Sequence, residues 1–305
     1  MEDDQVSRTA QMTAYSRGYH YDNDNPRIFD DCLANHILTK EERASIEEQM
    51  MAALRTINPA GAAAFPDQAA ALRWMMQAGA AAPIVLARAR YAEDLLETAV
   101  MEGAGQYVIL GAGLDTFSFR RPDLVRNLTV FELDHPATQN YKRNRIQELG
   151  WEQPSCLSYI PVDFTQDSLA TALKRSNYDP RIPTFFSWLG VTYYLSRNEV
   201  HVTLQDIARN SPAGSSLVFD YLDTDAYIPE KAAPRVIRML SSVREIGEPM
   251  QSGFDPRTIV EELKELGFCF QEDLSPWDIH SHYFLGRTDH YRACEHTHFA
   301  YVVVG

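Results

Sequence analysis

The sequence predicts an α/β protein with a doubly wound, seven-stranded sheet and an N-terminal helical cap. An apolar run, Tyr107–Leu110, breaks at once into Gly111-Ala112-Gly113, as in a buried parallel strand that turns tightly under a ligand. A second apolar run, Leu128–Leu133, follows one crossover later. Strand-like runs then alternate with helical segments, which is the pattern of a parallel sheet covered on both faces.

Composition limits the possible classes of protein. The chain has 305 residues, enough for one large α/β domain or a core with an added cap. A net charge of −14 argues against nucleic acid as a partner, and no apolar run approaches the roughly 20 residues of a membrane helix. The acidic start lacks a signal-peptide pattern, so we expect a cytoplasmic protein. The expected partner is a small molecule. The sequence is silent on oligomeric state.

The first 100 residues are expected to form an N-terminal segment and a helical cap. Residues 1–36 are polar without a clear period and could be a loose tail. Thr39 and Glu42 form a capping-box pattern that opens a helix, and Gln68–Ala80 and Pro83–Met101 are predicted as further helices.

Residues 101–305 are expected to form the ligand-binding core, with a lid at 223–255, because so long an excursion after a strand is usually functional. The remaining strands are predicted at Leu157–Val162, Thr184 onward, Ser216–Tyr221, His282–Gly286 and Phe299–Val304. Helices are predicted at Pro136–Leu149, Gln166–Arg175 and Pro256–Leu266, the first with a solvated basic cluster of Lys142, Arg143 and Arg145.

The glycine turn favours a nucleoside without phosphate. A dinucleotide fingerprint needs a third glycine where this chain has Thr116, and the charge of Asp115 would repel a pyrophosphate. The second strand ends in Glu132 and Asp134, where a ribose-binding acid belongs. S-adenosylmethionine, with its cationic amino-acid tail, fits better than NAD, although a glycine turn without any ligand stays open at this point.

The wider motifs point to one family. LGAGLDT followed by FELDHPATQNYK resembles the leucine carboxyl methyltransferase-like family of S-adenosylmethionine-dependent O-methyltransferases, whose bacterial members serve polyketide and other secondary metabolism. The ARAR sequence upstream and the PTFFSWLGVTYYL and HYFLGRTDHYR sequences downstream also resemble the family, so the motifs span about 88–292. The resemblance implies a Rossmann-like class I methyltransferase sheet and S-adenosyl-L-methionine as cofactor.

The resemblance also implies a set of cofactor-binding residues. Arg88 would hold the carboxylate of the methionine part, whereas Arg90 faces elsewhere on the helix and would pair with Glu93 or Asp94. Many relatives carry a glutamate at the position of Leu189. The candidates are Arg88, Gly111, Ala112, Gly113, Asp115, Glu132, Asp134, Asp163, Phe164, Ser187 and Leu189.

Two possible cofactor contacts have alternatives that involve no ligand. Asp163-Phe164 at the end of a strand suits an adenine, but Asp163 could instead be the N-cap of the next helix. The family's N-terminal segment folds over the cofactor and contributes a basic residue, for which Arg17 is the nearest candidate, although a solvated arginine is the more common outcome.

The fourth strand and its turn should lie near the transferred methyl group. We predict Trp188 and Tyr193 there, and His282 is the one plausible base, with a strand-surface histidine as the alternative. The acceptor is expected to be a carboxylate or an acidic hydroxyl of a small molecule. The rival functions are an NAD-dependent oxidoreductase and a non-catalytic binding protein. No metal is expected, because Cys294, His296 and His298 lack a fourth ligand.

Overall fold

The computed structural model describes residues 6–305, and its central feature is one sheet of seven strands in the order β3-β2-β1-β4-β5-β7-β6. The first five strands in this order are parallel, and β7 runs antiparallel between β5 and β6. The predicted doubly wound sheet is therefore confirmed. The acidic start, residues 1–5, on which the cytoplasmic prediction partly rests, lies outside the described residues.

The strands in the middle of the sheet are buried along their whole length. Every residue of β1, β4 and β5 is buried, because helices cover both faces, and this explains their continuous apolar sequences. The strands are β1 (Gln106–Leu110), β2 (Thr129–Asp134), β3 (Leu157–Pro161), β4 (Thr184–Trp188), β5 (Ser216–Leu222), β6 (Phe268–Leu274) and β7 (Thr297–Val304).

Helices fill the N-terminal third and then cover both faces of the sheet. In chain order they are α1 (Arg8–Asn23), α2 (Ala34–Ile37), α3 (Lys40–Ile57), α4 (Pro59–Ala64), α5 (Gln68–Ala78), α6 (Ala81–Met101), α7 (Phe117–Arg120), α8 (Pro122–Val125), α9 (Pro136–Glu148), α10 (Leu169–Lys174), α11 (Arg197–Arg209), α12 (Pro234–Glu245), α13 (Ile259–Glu265) and α14 (Pro276–Tyr283). The capping box predicted for α3 is present, with Thr39 as its N-cap. The division at residue 100 stays a prediction.

The sheet separates two apolar clusters. Val130 and Val218 contribute to the cluster on the side of α1 and α6, whereas Phe131 and Phe219 contribute to the cluster on the side of α11 and α13. Neighbouring residues of a strand point to opposite faces, so both clusters draw on the same strands.

The predicted strand at His282–Gly286 is wrong. This segment begins within α14 and continues into the turn after it, and the strand before β7 is β6. The start of α14 is fixed by Ser275, which accepts a hydrogen bond from the Asp278 N–H, while the Asp278 carboxylate accepts one from the Ser275 N–H at 3.0 Å. This capping box with Pro276 at the first helical position is a helix signal that outweighs the aromatic residues after it.

The possible loose tail at residues 1–36 is also wrong for the part that the structure describes. Residues Arg8–Asn23 form α1, with Ser7 as the N-cap, and α1 packs against α2 and α6. Tyr15 is buried there against the first apolar cluster. This helix has little amphipathic pattern, so its stability comes from tertiary contacts.

No single helix within residues 6–305 is long and apolar enough to cross a membrane. The bent pair of α5 and α6, with 57° between them, meets the length and composition criteria together.

Candidate active site

The turn after β1 depends on two glycines. Gly111 and Gly113 have φ angles of 72° and 51°, in the left-handed region that other residues avoid. A Cβ atom on Gly111 would lie 2.3 Å from Cγ2 of Val191, and one on Gly113 would lie 3.3 Å from Cβ of Ala10. The glycine turn therefore fits tightly between helix α1, which contains Ala10, and the segment after β4, which contains Val191.

The N–H groups of this turn are already used within the chain. Those of Gly111 and the buried Ala112 donate to the carbonyl of Leu133 at 2.8 and 3.0 Å, and that of Gly113 donates to the Asp134 carboxylate. The following helix, α7, has only four residues. A pyrophosphate site needs free N–H groups at the start of a helix, so the turn suits a ligand without phosphate.

Asp115 lies two positions after Gly113. Its carboxylate accepts a hydrogen bond from the Phe117 N–H at 2.6 Å, which closes the chain into α7. The charge of this carboxylate also contributes to raising the pKa of the neighbouring Glu93, after the larger effect of burial. The turn therefore carries negative charge at the place where the sequence analysis expected it to exclude phosphate.

The two acids of β2 have different surroundings. Asp134 accepts from the N–H groups of Gly113 and His135, the latter at 2.7 Å, and burial raises the pKa of Asp134 against the opposing effect of these two bonds. A carboxylate offers about four acceptor positions, so two remain for a diol such as that of a ribose. This arrangement suits Asp134 to the predicted role.

Glu132 is instead part of a buried ion pair. Its side chain is 1% exposed and pairs with Lys142 of α9, and burial raises the pKa of Glu132 while Lys142 opposes the rise. The predicted solvated face is thus wrong for Lys142. Because this carboxylate is buried and takes Lys142 at one oxygen and the Ser118 hydroxyl at the other, the geometry disfavours the cofactor-binding role predicted for Glu132.

Arg88 on α6 sits at the centre of a buried polar cluster. Its Nη1 donates to the Asp220 carboxylate and to the Tyr193 hydroxyl, both at 2.8 Å. Burial alone would lower the pKa of Arg88, but Asp220 and Tyr193 raise it, so the guanidinium stays charged. Within residues 6–305, Nε and Nη2 have no hydrogen-bond partner, so the fork retains two donor nitrogens for a ligand carboxylate.

Gly190 makes room for this guanidinium. It has a φ angle of 75°, and a Cβ atom on it would lie 2.3 Å from Nη2 of Arg88. Its N–H donates to the Asp220 carboxylate at 2.6 Å. Arg90, two positions from Arg88, points away and pairs with Asp94 at 2.9 Å, with about half of its side chain exposed.

Sequence reasoning missed Asp220. It lies in β5, whose sequence SLVFDYL is otherwise apolar apart from the first residue, and it is fully buried. The available signal was a lone acid within a buried strand, since a buried carboxylate requires a partner.

Asp163 and Phe164 follow β3, as predicted. The Asp163 carboxylate accepts from the N–H and hydroxyl of Thr165 and from the Gln166 amide, and these bonds lower the pKa of Asp163 against the effect of burial. The N-cap alternative is wrong, because α10 begins only at Leu169 and Ser168 is its N-cap. Phe164 packs beside Trp188, with 6.5 Å between the ring centroids.

The residues at the end of β4 face different sides of the sheet. Ser187 is buried, and its hydroxyl forms a hydrogen bond with the Tyr107 hydroxyl at 2.9 Å. Leu189 packs against the first apolar cluster. Trp188 is fully buried in the second cluster, and its indole N–H has no partner in the described chain. Trp188 is therefore a core side chain, in contrast to its predicted place beside the transferred methyl.

Tyr193 and Tyr194 form a 3₁₀ turn after β4, and the excursion after β5 returns to this turn. The N–H of Gln251 donates to the Tyr193 carbonyl at 2.7 Å, and the Gln251 amide donates to the Tyr194 carbonyl. Burial raises the pKa of Tyr193 well above its ordinary value and that of Tyr194 to about 12. Both tyrosines therefore stay protonated at neutral pH.

Helix α1 covers the glycine turn. Arg17 donates from Nη2 to the Leu114 carbonyl and from Nε to Asp31, both at 2.8 Å, so the solvated arginine expected as the common outcome is wrong. The N-terminus of α1 is held by Glu248 of the excursion, whose carboxylate accepts from the N–H groups of Arg8 and Thr9 at 2.9 and 3.1 Å. The cap and the excursion thus meet over the candidate site.

His282 is remote from this constellation. It is exposed in the last turn of α14, which packs against β6 and β7 at the other edge of the sheet from β2 and β3. This position disfavours the role of base predicted for His282. No group of potential metal ligands occurs among residues 6–305.

Together, the sheet order and the site define a Rossmann-like protein built for a phosphate-free nucleoside with a carboxylate-bearing tail. The sequence model of the leucine carboxyl methyltransferase family matches residues 10–208. The chain belongs to this family, and it is an S-adenosylmethionine-dependent methyltransferase.

Similar proteins support this assignment. The YktD protein of Bacillus subtilis, provisionally named as an S-adenosyl-L-methionine-dependent methyltransferase, is 37% identical over 99% of both chains. A Mycobacterium tuberculosis protein with the same kind of provisional name, Rv0830, is 31% identical over 47% of this chain and 48% of its own. A solved structure from Streptomyces avermitilis, of the DUF574 family, covers 99% of both chains with a TM-score of 0.61 and 13% identity, and so shows the fold alone.

The predicted cofactor and class I methyltransferase fold are confirmed, and the alternative of an NAD-dependent oxidoreductase is excluded. The chain's donors fit this cofactor. The N–H groups of Gly111, Ala112 and Gly113 are engaged within the chain, Asp134 keeps acceptor positions, and Arg88 keeps two donor nitrogens.

Proposed function

We propose that the protein methylates an oxygen of a small molecule that is already anionic, either a carboxylate or an acidic hydroxyl. The observation that carries this proposal is the state of the groups nearest the β4 turn. The pKa values of Tyr193 and Tyr194 are raised, and His282 lies on α14. An aliphatic alcohol would need a base to take its proton as the new bond forms, whereas an anion needs none.

S-adenosylmethionine supplies the methyl group as a sulfonium, and its transfer to oxygen is an in-line displacement. The chain's contribution is to align the methyl group with the acceptor oxygen and to exclude water. Arg88 would hold the carboxylate of the cofactor's tail through its two free donors, and Asp134 would accept from the ribose hydroxyls. Asp163 and Phe164 would lie at the adenine.

The walls of the site come from elements far apart in the chain. Helix α1 lies against Gly113, and the excursion binds the 3₁₀ turn at Tyr193. Excluding water from this space would raise the reactivity of an anionic acceptor, because an anion reacts faster when its hydration shell is removed. A secondary metabolite with a carboxyl group, such as a polyketide acid, has the required chemistry.

A radiolabelled-methyl assay tests the proposal with matched acceptor pairs. Each aromatic or aliphatic carboxylic acid is compared with the alcohol of the same skeleton. Labelled methyl esters from several acids, with no ether from the paired alcohols, would support the proposal. Label that enters only alcohols or amines would contradict it. Absence of label from every acceptor, together with tight binding of S-adenosylhomocysteine, would favour the non-catalytic alternative.

A further inference from the structure

We infer that the protein has a second binding site, which takes an aromatic carboxylate and is separate from the candidate active site. The site is a cavity of about 510 Å³ between α5, α12, α14 and the segment after α14. Cavities of roughly 300–1,000 Å³ are the usual size for small-molecule sites. None of the residues that line this cavity belongs to the glycine turn or the Arg88 cluster.

Aromatic side chains form part of the cavity wall. Trp74 of α5, Phe284 and Tyr291 all face it, and the rings of Phe284 and Tyr291 are nearly parallel, at 20°. Trp74 keeps 38% of its surface exposed. Phe284 and Tyr291 are themselves buried. The accessible indole of Trp74 therefore favours a ligand with a flat apolar body, since covering it removes apolar area from water.

The charge of the cavity is opposite to that of the whole protein. The chain carries a net charge of −14, yet three arginines and two histidines line the cavity against a single carboxylate. That carboxylate, Asp289, is occupied by Arg287, which donates to it from Nε at 3.1 Å. The cavity therefore has excess positive charge.

The other two arginines are available for a ligand. Among residues 6–305, the guanidinium groups of Arg238 and Arg292 have no hydrogen-bond or ion-pair partner. Arg238 belongs to α12 and Arg292 to the C-terminal segment, so the two approach the cavity from separate parts of the fold. A planar carboxylate is the anion that guanidinium groups bind in a bidentate manner.

A packed cluster connects the cavity with the candidate active site. Ala80, Val236 and Cys294 are buried in the same cluster as Tyr193. Each stands two positions along the chain from a residue that lines the cavity, namely Ala78, Arg238 and Arg292. The two sites therefore adjoin the same cluster but do not share lining residues, and ligands should be able to occupy both at once.

Calorimetry with 2-naphthoate and its neutral amide tests the inference on the full chain. We expect saturable binding of one naphthoate, weakened about tenfold in the amide because the charge-assisted hydrogen bonds are lost. Arg238→Gln and Arg292→Gln should each weaken naphthoate binding roughly three- to tenfold, as expected for partly exposed charged contacts. Arg244→Gln, also on α12 and exposed, is the matched control and should leave binding unchanged.

Competition distinguishes this site from the active site. Saturating S-adenosylhomocysteine and the Tyr193→Phe substitution should both leave naphthoate affinity unchanged. Displacement by S-adenosylhomocysteine, loss of binding in Tyr193→Phe, equal affinity for acid and amide, or absence of saturable binding would each overturn the inference. No methyl donor is present, so these outcomes are independent of whether the proposed O-methyl transfer is correct.

Discussion

The Arg88 guanidinium on α6 donates to the Asp220 carboxylate on β5 at 2.8 Å, in a pair that is buried beneath Gly190. The two residues stand 132 positions apart. The pair joins the cap-side helix to the sheet at the place where the cofactor's tail should lie, so it serves both stability and binding.

Arg88→Ala should abolish S-adenosylhomocysteine binding, while Arg90→Ala, whose side chain is half exposed and pairs with Asp94, should not. Removing one partner of a buried ion pair costs about 3–5 kcal/mol, so Arg88→Ala should also lower the free energy of unfolding. The double variant Arg88→Met with Asp220→Leu separates these effects, because it should restore stability without binding. Calorimetry and chemical denaturation provide the two readouts. A double variant that binds the ligand normally would contradict the assignment.

Gly190→Ala should weaken binding through Arg88. The new methyl group would lie 2.3 Å from Nη2, which must then move. The control is Gly150→Ala, which has a similar φ angle of 67° and no atom within 4 Å of the added Cβ. Both substitutions carry the backbone cost of roughly 1–2 kcal/mol for a left-handed residue, but only Gly190→Ala should lose ligand affinity. Equal ligand affinities in the two variants would show that Arg88 does not belong to the binding site.

The two acids of β2 should respond differently to neutralisation. Asp134→Asn should weaken S-adenosylhomocysteine binding by about 1.5–3 kcal/mol, the value of a hydrogen bond to a charged group. Glu132→Gln should instead leave Lys142 buried without its charged partner and reduce stability by roughly 3–5 kcal/mol. Calorimetry of both variants, alongside thermal unfolding, decides between the roles. Weakened binding in Glu132→Gln alone would show that Glu132, and not Asp134, contacts the ribose.

Glu248 should control how firmly α1 covers the glycine turn. Glu248→Ala removes the acceptor for the N–H groups of Arg8 and Thr9, which we expect to cost about 1–3 kcal/mol of local stability. Hydrogen exchange of the α1 amides should accelerate, and S-adenosylhomocysteine should dissociate faster. Glu245→Ala, which changes an exposed acid in the same excursion, is the control. Unchanged exchange in Glu248→Ala would show that other contacts hold the helix.

Asp31 should make stability depend on acid pH. Burial alone would raise the pKa of Asp31, but Arg17 and Arg120 lower it below its ordinary value. A lowered folded-state pKa contributes stability that is present above the unfolded value, near 3.8, and is lost as the pH falls through the folded value. The melting temperature of Asp31→Asn should therefore differ most from that of the parent chain at about pH 5–7, and the difference should shrink progressively as the pH falls below about 4. A difference that does not vary with pH would contradict this.

The sequence could predict the features that depend on local patterns. Apolar runs identified β1 to β5 and β7, and the two glycines located the ligand turn. The start of α14 also has a local signal, because Ser275 and Asp278 form a capping box with Pro276 at the first helical position, although the aromatic residues after it favour a strand. The strand β6 at 268–274 was missed, because the polar run Gln271-Glu272-Asp273 interrupts its apolar sequence.

Long-range contacts explain what sequence reasoning could not find. Helix α1 has little amphipathic pattern, and it is held by Glu248, some 240 positions away, and by the pairing of Arg17 with Asp31. Likewise, nothing near Lys142 in the sequence indicates that its charge is buried against Glu132. The fold brings the two side chains of such a pair together. Local periodicity alone therefore predicts that these charged side chains lie on the surface.

The central claim, that the acceptor oxygen is anionic before transfer, is tested most directly by single-turnover methyl transfer to an identified acceptor as a function of pH. For a carboxylate of ordinary pKa, the rate should be nearly constant from about pH 6 to 9, because the acceptor is ionised throughout. Tyr193→Phe should retain this flat profile, since the tyrosine does not act as a base. A rate that rises about tenfold per pH unit across this range with a carboxylate acceptor would contradict the claim, because it would show that a deprotonated base is needed in addition to the ionised acceptor.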